Sequence, residues 1–208
     1  MHRSTTADRR GHRATAVLIR ANRAVYRIAR HWLFLTNLMA APFALLPMIA
    51  PVLAATGHGR MARPMYALFA PICHQQDDRS FHVLGEKTAC CHRCLAVYGG
   101  LFVLGLLYVV ARRRIPPASA SLVGLLGVPI VIDVLTQPIL QRESTPWLRV
   151  LTGALFALAL AWAILPRLER GFDEMIDRIE GRFRRLVAEG RARPLLARTA
   201  STSLNGRP

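Results

Sequence analysis

The sequence has little acidic charge and almost no lysine. It contains 12 acidic residues against 28 basic residues in a chain of 208, and Lys87 is its single lysine. It has no phosphate-binding loop, Ser/His/Asp arrangement or dinucleotide fingerprint, so it gives no sign of those enzyme classes and names no substrate. Cysteine is absent outside residues 73–94, which confines any thiol chemistry to that window.

Long uncharged runs dominate what is present. A net charge of +16 would suit a nucleic-acid-binding protein, but the basic residues lie mostly outside these runs. Such runs are what a bilayer requires, and they lack the polar stripe of helices in a soluble bundle. The sequence therefore predicts an all-α membrane protein whose partner is the lipid bilayer, with no nucleic acid. The four expected transmembrane helices are residues 32–55, 95–111, 121–140 and 147–165.

The distribution of arginine predicts the orientation. Arginines are concentrated before the first run, in the link at residues 112–114 and after the fourth run. With four spans these segments lie on one side, which the positive-inside rule assigns to the cytoplasm. We therefore expect a multi-pass protein of the bacterial cytoplasmic membrane with both termini cytoplasmic and loop 56–94 facing outward. The first run is longer than the roughly 7–15 apolar residues of a signal peptide, so cleavage is not expected.

Composition divides the chain into three segments. Residues 1–31 form a basic segment with an interfacial helix, because arginines alternate with apolar residues at helical spacing. Residues 32–165 form the membrane domain. Residues 166–208 combine a cytoplasmic amphipathic helix with a disordered tail. That helix either pairs with a partner helix or lies on the membrane surface, and its arginine-rich polar face favours the surface. The first dozen residues and residues 200–208 are expected to be disordered.

The cysteine loop predicts a metal site. Residues 80–84 and 88–91 flank a Gly-Glu-Lys turn and predict a short hairpin. Cys91 and Cys94 form a C-x-x-C pair at the mouth of the second membrane helix, where the helix dipole favours a thiolate. With Cys73 and His74 upstream, they give a four-ligand set of the kind that binds one zinc ion.

The identity of the fourth ligand is open. Neighbouring residues rarely share one small ion, so His82, His92 or water are alternatives to His74, and a water ligand would make the site capable of activating water. Cys90 is interpreted as a bystander.

Other interpretations use the same thiols. An outward compartment permits disulfides, so the protein could be a membrane thiol-disulfide oxidoreductase that uses Cys91 and Cys94. A pair of structural disulfides across the loop is another alternative, and a small transporter or assembly factor is a third. Whether the protein is an enzyme stays open at this stage.

Polar residues inside the third run mark a second region of interest. Asp133 and Gln137 lie four residues apart, so they share one helix face. A buried carboxylate in a membrane normally has a partner, and Arg149 near the start of the fourth run is the best candidate. Arg142 lies just above, in the short link. These residues form either an interhelical ion pair or a polar pocket below the cysteine loop.

Several separated motifs resemble one known family. They are Cys-His-Gln at 73–75, Arg-Ser-Phe at 79–81, Cys-x-Arg-Cys at 91–94 with Tyr98 and Gly100, and a second block with Asp133, Gln137, 142–144, 148–149 and 152–153. Together they resemble the bacterial integral-membrane family known as domain of unknown function 2085 (DUF2085), over about residues 35–165. Ala96 and Val134 stand where many members have glycine, which bears on helix packing.

This resemblance implies a multi-pass membrane protein with no established activity. It supports the positions of the Cys/His site, and it adds Arg79 to the candidate polar residues Asp133, Gln137, Arg142 and Arg149.

Overall fold

The structure is a computed structural model. It describes the backbone of residues 6–112 and 114–190, and the side chains of residues 17, 19–112 and 114–190. The predicted disorder of residues 200–208 lies outside the described residues. The elements, in order, are α1 (Thr6–Arg30), α2 (Trp32–Ala55), α3 (Gly59–Phe69), a 3-10 turn (Asp77–Arg79), β1 (Ser80–Val83), β2 (Glu86–Cys91), α4 (His92–Ala111), α5 (Ala120–Leu140) and α6 (Pro146–Ala188).

Four of these helices are long and apolar enough to cross a membrane, namely α2, α4, α5 and α6. The 24 residues of α2 correspond to about 36 Å of helix, which matches the hydrocarbon core with some tilt. The bounds of the first predicted span are confirmed, and α4 and α5 begin slightly before the predicted spans. The helix that contains the fourth predicted span continues without a break into the tail and accommodates Pro166, so the end of that span at residue 165 stays a prediction.

The four helices expose apolar side chains in the way that lipid-facing helices do. Phe34 and Met39 on α2 are 65% and 66% exposed, and Leu125 and Ile139 on α5 are 70% and 73% exposed. A water-soluble bundle would bury most of these side chains, because each large apolar side chain left in water costs about 1.5–3 kcal/mol relative to burial. The fold is therefore that of an all-α membrane protein.

The chain forms two compact units. The first contains the helical residues up to Trp32 and those from Glu169 onward. Trp32 stacks on Phe172 at 5.3 Å between ring centroids, and the Tyr26 hydroxyl donates to Glu180 at 2.9 Å. The tail helix thus packs against the N-terminal helix, which gives it the partner helix that the sequence left as an alternative, and its position on the membrane surface stays a prediction. The expected disorder of the first dozen residues is also wrong for residues 6–12, because α1 begins at Thr6.

The second unit, Leu33–Leu168, contains the cysteine loop and the remaining helices. Helix α4 lies close to two neighbours at small residues. A Cβ added to Gly100 would lie 2.7 Å from Cβ of Ala157 on α6, and one added to Gly105 would lie 2.5 Å from Oδ1 of Asn37 on α2. Small residues at such crossings are typical of membrane helices, which pack by close backbone approach.

The predicted hairpin is confirmed, with a shorter turn. β1 and β2 pair antiparallel, with Ser80 opposite Cys91 and Val83 opposite Glu86. The turn is Leu84-Gly85, both with positive φ, which matches the right-handed twist of a two-residue hairpin. Glu86 and Lys87 therefore belong to β2 and not to the turn. In this register Cys91 lies at the point where the hairpin meets α4.

Candidate metal centre

Three cysteine sulfurs converge beside the hairpin. The Sγ atoms of Cys73, Cys91 and Cys94 all lie within 4.8 Å of one another. The backbone N–H of Cys91 also donates to Sγ of Cys73 at 3.1 Å. The structure thus brings together three of the four residues that the sequence predicts as ligands, from two segments separated by the whole hairpin.

The junction between β2 and α4 positions two of these thiols. Cys91 is the last residue of β2 and the N-cap of α4, with extended backbone angles of φ −69° and ψ 164°. Its side chain makes no capping hydrogen bond, so the sulfur is free to face Cys73. Cys94 lies in the first turn of the same helix. The C-x-x-C spacing therefore puts both sulfurs on one side of a helix N-terminus.

Three hydrogen bonds around Cys73 fix its position. The Gln75 side chain donates to the carbonyl of Tyr66 at 2.7 Å, and the Tyr66 hydroxyl donates to the carbonyl of Lys87 at 2.5 Å. In the third hydrogen bond, the Lys87 ammonium donates to the carbonyl of Gln75 at 2.9 Å. Gln75 adopts a positive φ of 49°, which turns the chain back after Cys73. α3, the residues after Cys73 and β2 are thereby tied together, and the position of Cys73 against Cys91 is fixed.

The thiols lie at the edge of an apolar cluster. Ala50, Phe69 and Ala89 are buried there with Cys73 and Cys90. Hydrogen bonds from the Cys90, Cys91 and Cys94 thiols and from the Cys91 amide lower the pKa of Cys73. The hydrogen bond to Cys73, together with burial, raises the pKa of Cys90. The cluster therefore favours a thiolate on Cys73 and a neutral thiol on Cys90.

The three histidines of this region have different surroundings. His74 is exposed and lies outside the three-thiol group, so its role as a ligand stays a prediction. His82 is exposed and lies 3.3 Å from Asp77. His92 is buried, its ring meets Phe81 edge-on at 4.3 Å, and its Nδ1 atom has no hydrogen-bond partner in the described part of the chain.

A polar cluster surrounds Asp133 on α5. Asp133 is 2% exposed and forms ion pairs with Arg93 at the start of α4 and with Arg142, the latter at 3.3 Å. Gln137 donates to the backbone carbonyl of Asp133 at 2.8 Å. The expected partner, Arg149, does not pair with it. Arg93 takes that place because the first turn of α4 faces α5 at the depth of Asp133.

The remaining candidate arginines lie nearby. Arg79 contacts Asp78 at 3.4 Å and Glu143 at 3.7 Å, which links the hairpin side to the α5–α6 connection. Arg149 is 3% exposed and forms no ion pair or side-chain hydrogen bond within residues 17–190 as described.

One residue of this polar region is missing from the predicted site. Arg93 is predicted only as part of the Cys-x-Arg-Cys motif, although an arginine at a helix start beside a buried aspartate is a signal for an ion pair. Cys90 is buried in the apolar cluster and lies outside the three-thiol group, so its role as a bystander stays a prediction.

Comparison with known proteins supports the family. Residues 73–163 match the sequence profile of the family described as "Predicted membrane protein (DUF2085)". An uncharacterized protein of Methanocaldococcus jannaschii is 35% identical over 106 residues, which are 49% of this chain and 67% of that protein. An uncharacterized protein of Methanothermobacter thermautotrophicus is 34% identical over 93 residues, which are 45% of this chain and 84% of that protein.

No solved structure matches the chain. Both of these relatives are archaeal proteins. The matched residues contain Cys73, Cys91, Cys94, Asp133 and Arg149. The chain belongs to the DUF2085 family of predicted membrane proteins.

Proposed function

We propose that the protein binds one zinc ion through Cys73, Cys91 and Cys94 on the outward face of the membrane, and that this ion holds the hairpin against α4. The observation that carries the proposal is the convergence of the three sulfurs within 4.8 Å. Sulfurs that bind one zinc at the usual length of about 2.3 Å lie about 3.8 Å apart, so only a small contraction is needed.

The chemistry of the donors favours zinc. Thiolates are soft ligands that select zinc over magnesium or calcium. Hydrogen bonds from the neighbouring thiols lower the pKa of Cys73, which favours the thiolate form that a metal ligand needs. The apolar side chains of Ala50 and Phe69 lie against the cluster, which suits a closed structural site more than an open one that activates water.

Two residues compete for the fourth position. His74 follows Cys73 directly and is exposed, so a change of its side-chain rotamer would have to bring the ring to the metal. Cys90 is buried in the same apolar cluster as Cys73, but it lies outside the three-thiol group and must lose its proton, which its raised pKa opposes. His74 was the ligand expected from the sequence, and the two variants His74→Ala and Cys90→Ser separate these alternatives.

The test is the metal content of the full chain purified in detergent. We expect about one zinc per chain in the wild type, near-complete loss in Cys91→Ser/Cys94→Ser, and retention in His82→Ala, which changes an exposed histidine of the same loop. Of the two variants at the fourth position, the one that removes the true ligand should lower zinc affinity by about tenfold or more. Wild-type protein without metal but with four titratable thiols would exclude the proposal.

A second candidate is thiol-disulfide exchange by Cys91 and Cys94. The observation that favours it is their position at the N-terminus of α4, since thiol oxidoreductases place such pairs at helix starts. It predicts that Cys94→Ser accumulates a mixed disulfide through Cys91 in cells. If alkylation before lysis finds both wild-type thiols permanently reduced or metal-bound, exchange is excluded. The third interpretation, a small transporter or assembly factor, rests on Asp133 alone and is tested with that residue below.

A further inference from the structure

Arg149 is the most unusual charged residue in the second unit. It is 3% exposed on α6, yet its guanidinium forms no ion pair or hydrogen bond within the described side chains. Burial of most of an arginine without a partner is unfavourable, because few groups replace the water it loses. Its guanidinium nitrogens are not among the fully buried unpaired atoms of the described residues, so a ligand can still reach them. Arginine does not release its proton under ordinary conditions, so a counter-ion would stabilise it.

The nearby carboxylates are already engaged. Asp133 is paired with Arg93 and Arg142. Asp78 and Glu143 have largely exposed side chains, and both contact Arg79. Arg149 feels the like charges of Arg79 and Arg93 as well as these two rim carboxylates. No acidic side chain of the described residues forms an ion pair with it.

Other polar atoms in this region also lack partners. Nδ1 of His92, Nε of Arg93 and Oγ of Ser144 are buried without a hydrogen bond in the described residues. His92 is close enough to Arg149 to feel its charge. Ser144 lies in the link that leads into α6. His92 and Arg93, which both lie close to Arg149, thus leave unpaired nitrogens beside a cation. This is the arrangement expected of a site for an oxyanion, which accepts several hydrogen bonds at once.

We propose that Arg149, with Arg93 and His92, binds an oxyanion of the phosphate class, either free in solution or in the headgroup of a phospholipid. The planar fork of arginine matches two oxygens of such a group. Trp147, two residues before Arg149, is 83% exposed, and exposed tryptophan marks the headgroup level of a membrane. Arg79 lies at the rim and is 36% exposed, so the site has an approach from outside the bundle. This inference goes beyond the proposed zinc site and does not depend on it.

The experiment is thermal unfolding of the full chain in dodecyl maltoside, a detergent without phosphorus, after removal of bound lipid. Inorganic phosphate and dihexanoyl phosphatidylglycerol are added separately, with sodium chloride at equal ionic strength as the reference. We expect at least one of them to raise the wild-type melting temperature by several degrees and to leave Arg149→Met unchanged. Stabilisation by phosphate indicates a free anion, whereas stabilisation by the lipid alone indicates a headgroup.

Two further variants keep the test decisive. Arg178→Met removes an arginine that is 82% exposed in the other unit and should respond as the wild type does. Arg149→Lys keeps the charge but loses the fork, so it should fold and bind the oxyanion at least tenfold more weakly. Arg149→Met should also equal or exceed the wild type in stability when no oxyanion is present. Equal shifts in the wild type and both Arg149 variants would overturn the proposal.

Discussion

At the scale of single residues, Asp133 is the charge on which the packing of α4 and α5 depends. Its carboxylate is 2% exposed and forms ion pairs with both Arg93 and Arg142. Removal of one member of a buried ion pair leaves the others uncompensated, and the usual loss is about 3–5 kcal/mol. We expect Asp133→Asn to lie near the lower end, about 3 kcal/mol, because Arg142 is 40% exposed and can regain water. Unfolding in detergent measures this loss.

Glu143→Gln is the matched control for this prediction. The Glu143 side chain is 74% exposed and contacts Arg79 at 3.7 Å, so its neutralisation should change stability by less than about 1 kcal/mol. If Asp133→Asn lost as little as Glu143→Gln, the buried ion pair would not hold the two helices. If Asp133→Asn affected a cellular phenotype at unchanged protein level, the transporter or assembly-factor interpretation would gain support.

The thiols make a second prediction at this scale, for the metal-free protein. The hydrogen bonds from Cys90, Cys91 and Cys94 lower the pKa of Cys73, so its thiolate should persist below the usual range of a cysteine. Because the folded state holds this proton less tightly than the unfolded state, the contribution to stability is present above the ordinary thiol pKa of about 9 and is lost as pH falls toward the lowered value. Absorbance at 240 nm reports the thiolate.

Variants identify which thiol is responsible. Cys73→Ser should remove the absorbance that persists at low pH. Cys90→Ser should leave most of it, because the raised pKa of Cys90 keeps that thiol neutral and the serine hydroxyl can still donate to Cys73. Persistence of the full signal in Cys73→Ser would assign the thiolate to another cysteine and would contradict the prediction.

At the scale of elements, α4 packs against α6 through a glycine. A Cβ on Gly100 would lie 2.7 Å from Cβ of Ala157, whereas a Cβ on the adjacent Gly99 meets nothing within 4 Å. Gly100→Ala should therefore force the helices apart and destabilise the protein by about 1–3 kcal/mol, as overpacking does. Gly99→Ala should be neutral or stabilising by up to about 1 kcal/mol, because alanine is the better helix former. Denaturant unfolding in mixed micelles compares them.

Most of the helices and strands could be predicted from the sequence, because long uncharged runs have few folding alternatives. The first span at Trp32–Ala55 and the hairpin before α4 follow from apolar length and turn residues. The partner of Asp133 could not be predicted, because Arg93 and Arg149 lie at similar depth and only helix rotation decides between them. The sequence also leaves the pairing of the tail with α1 as an alternative, since arginine on the outer face of a helix suits both water and a lipid surface.

At the scale of the whole molecule, the two candidate sites lie on adjacent residues of one helix start. Cys94 belongs to the thiol group and Arg93 belongs to the Asp133 cluster, so the first turn of α4 contributes to both. The hairpin and the α5–α6 link are joined there through Arg79 and Glu143. A zinc ion that fixes the hairpin would therefore also fix Arg79, and loss of zinc should loosen the rim of the proposed oxyanion site.

The orientation of the molecule in the membrane decides whether the cysteine thiols face an oxidising or a reducing compartment. Four apolar helices and the arginine-rich segments at both ends predict cytoplasmic termini and an outward hairpin. In full-length protein, Glu143→Cys should react with a membrane-impermeant maleimide in intact cells, because the α5–α6 link then faces outward. Arg114→Cys and Arg178→Cys should react only after lysis. The wild type gives the background from the native thiols.

The reverse labelling pattern would place the thiols in the reducing cytoplasm, and a disulfide function would then be disfavoured. The predicted pattern exposes the thiols to an oxidising compartment, where free neighbouring cysteines tend to form disulfides. Bound zinc would protect Cys73, Cys91 and Cys94 there, because sulfurs held about 3.8 Å apart by the metal are too distant for a bond of about 2 Å. We therefore expect chelator treatment of outward-facing protein to be followed by disulfide formation, measured as loss of alkylatable thiols.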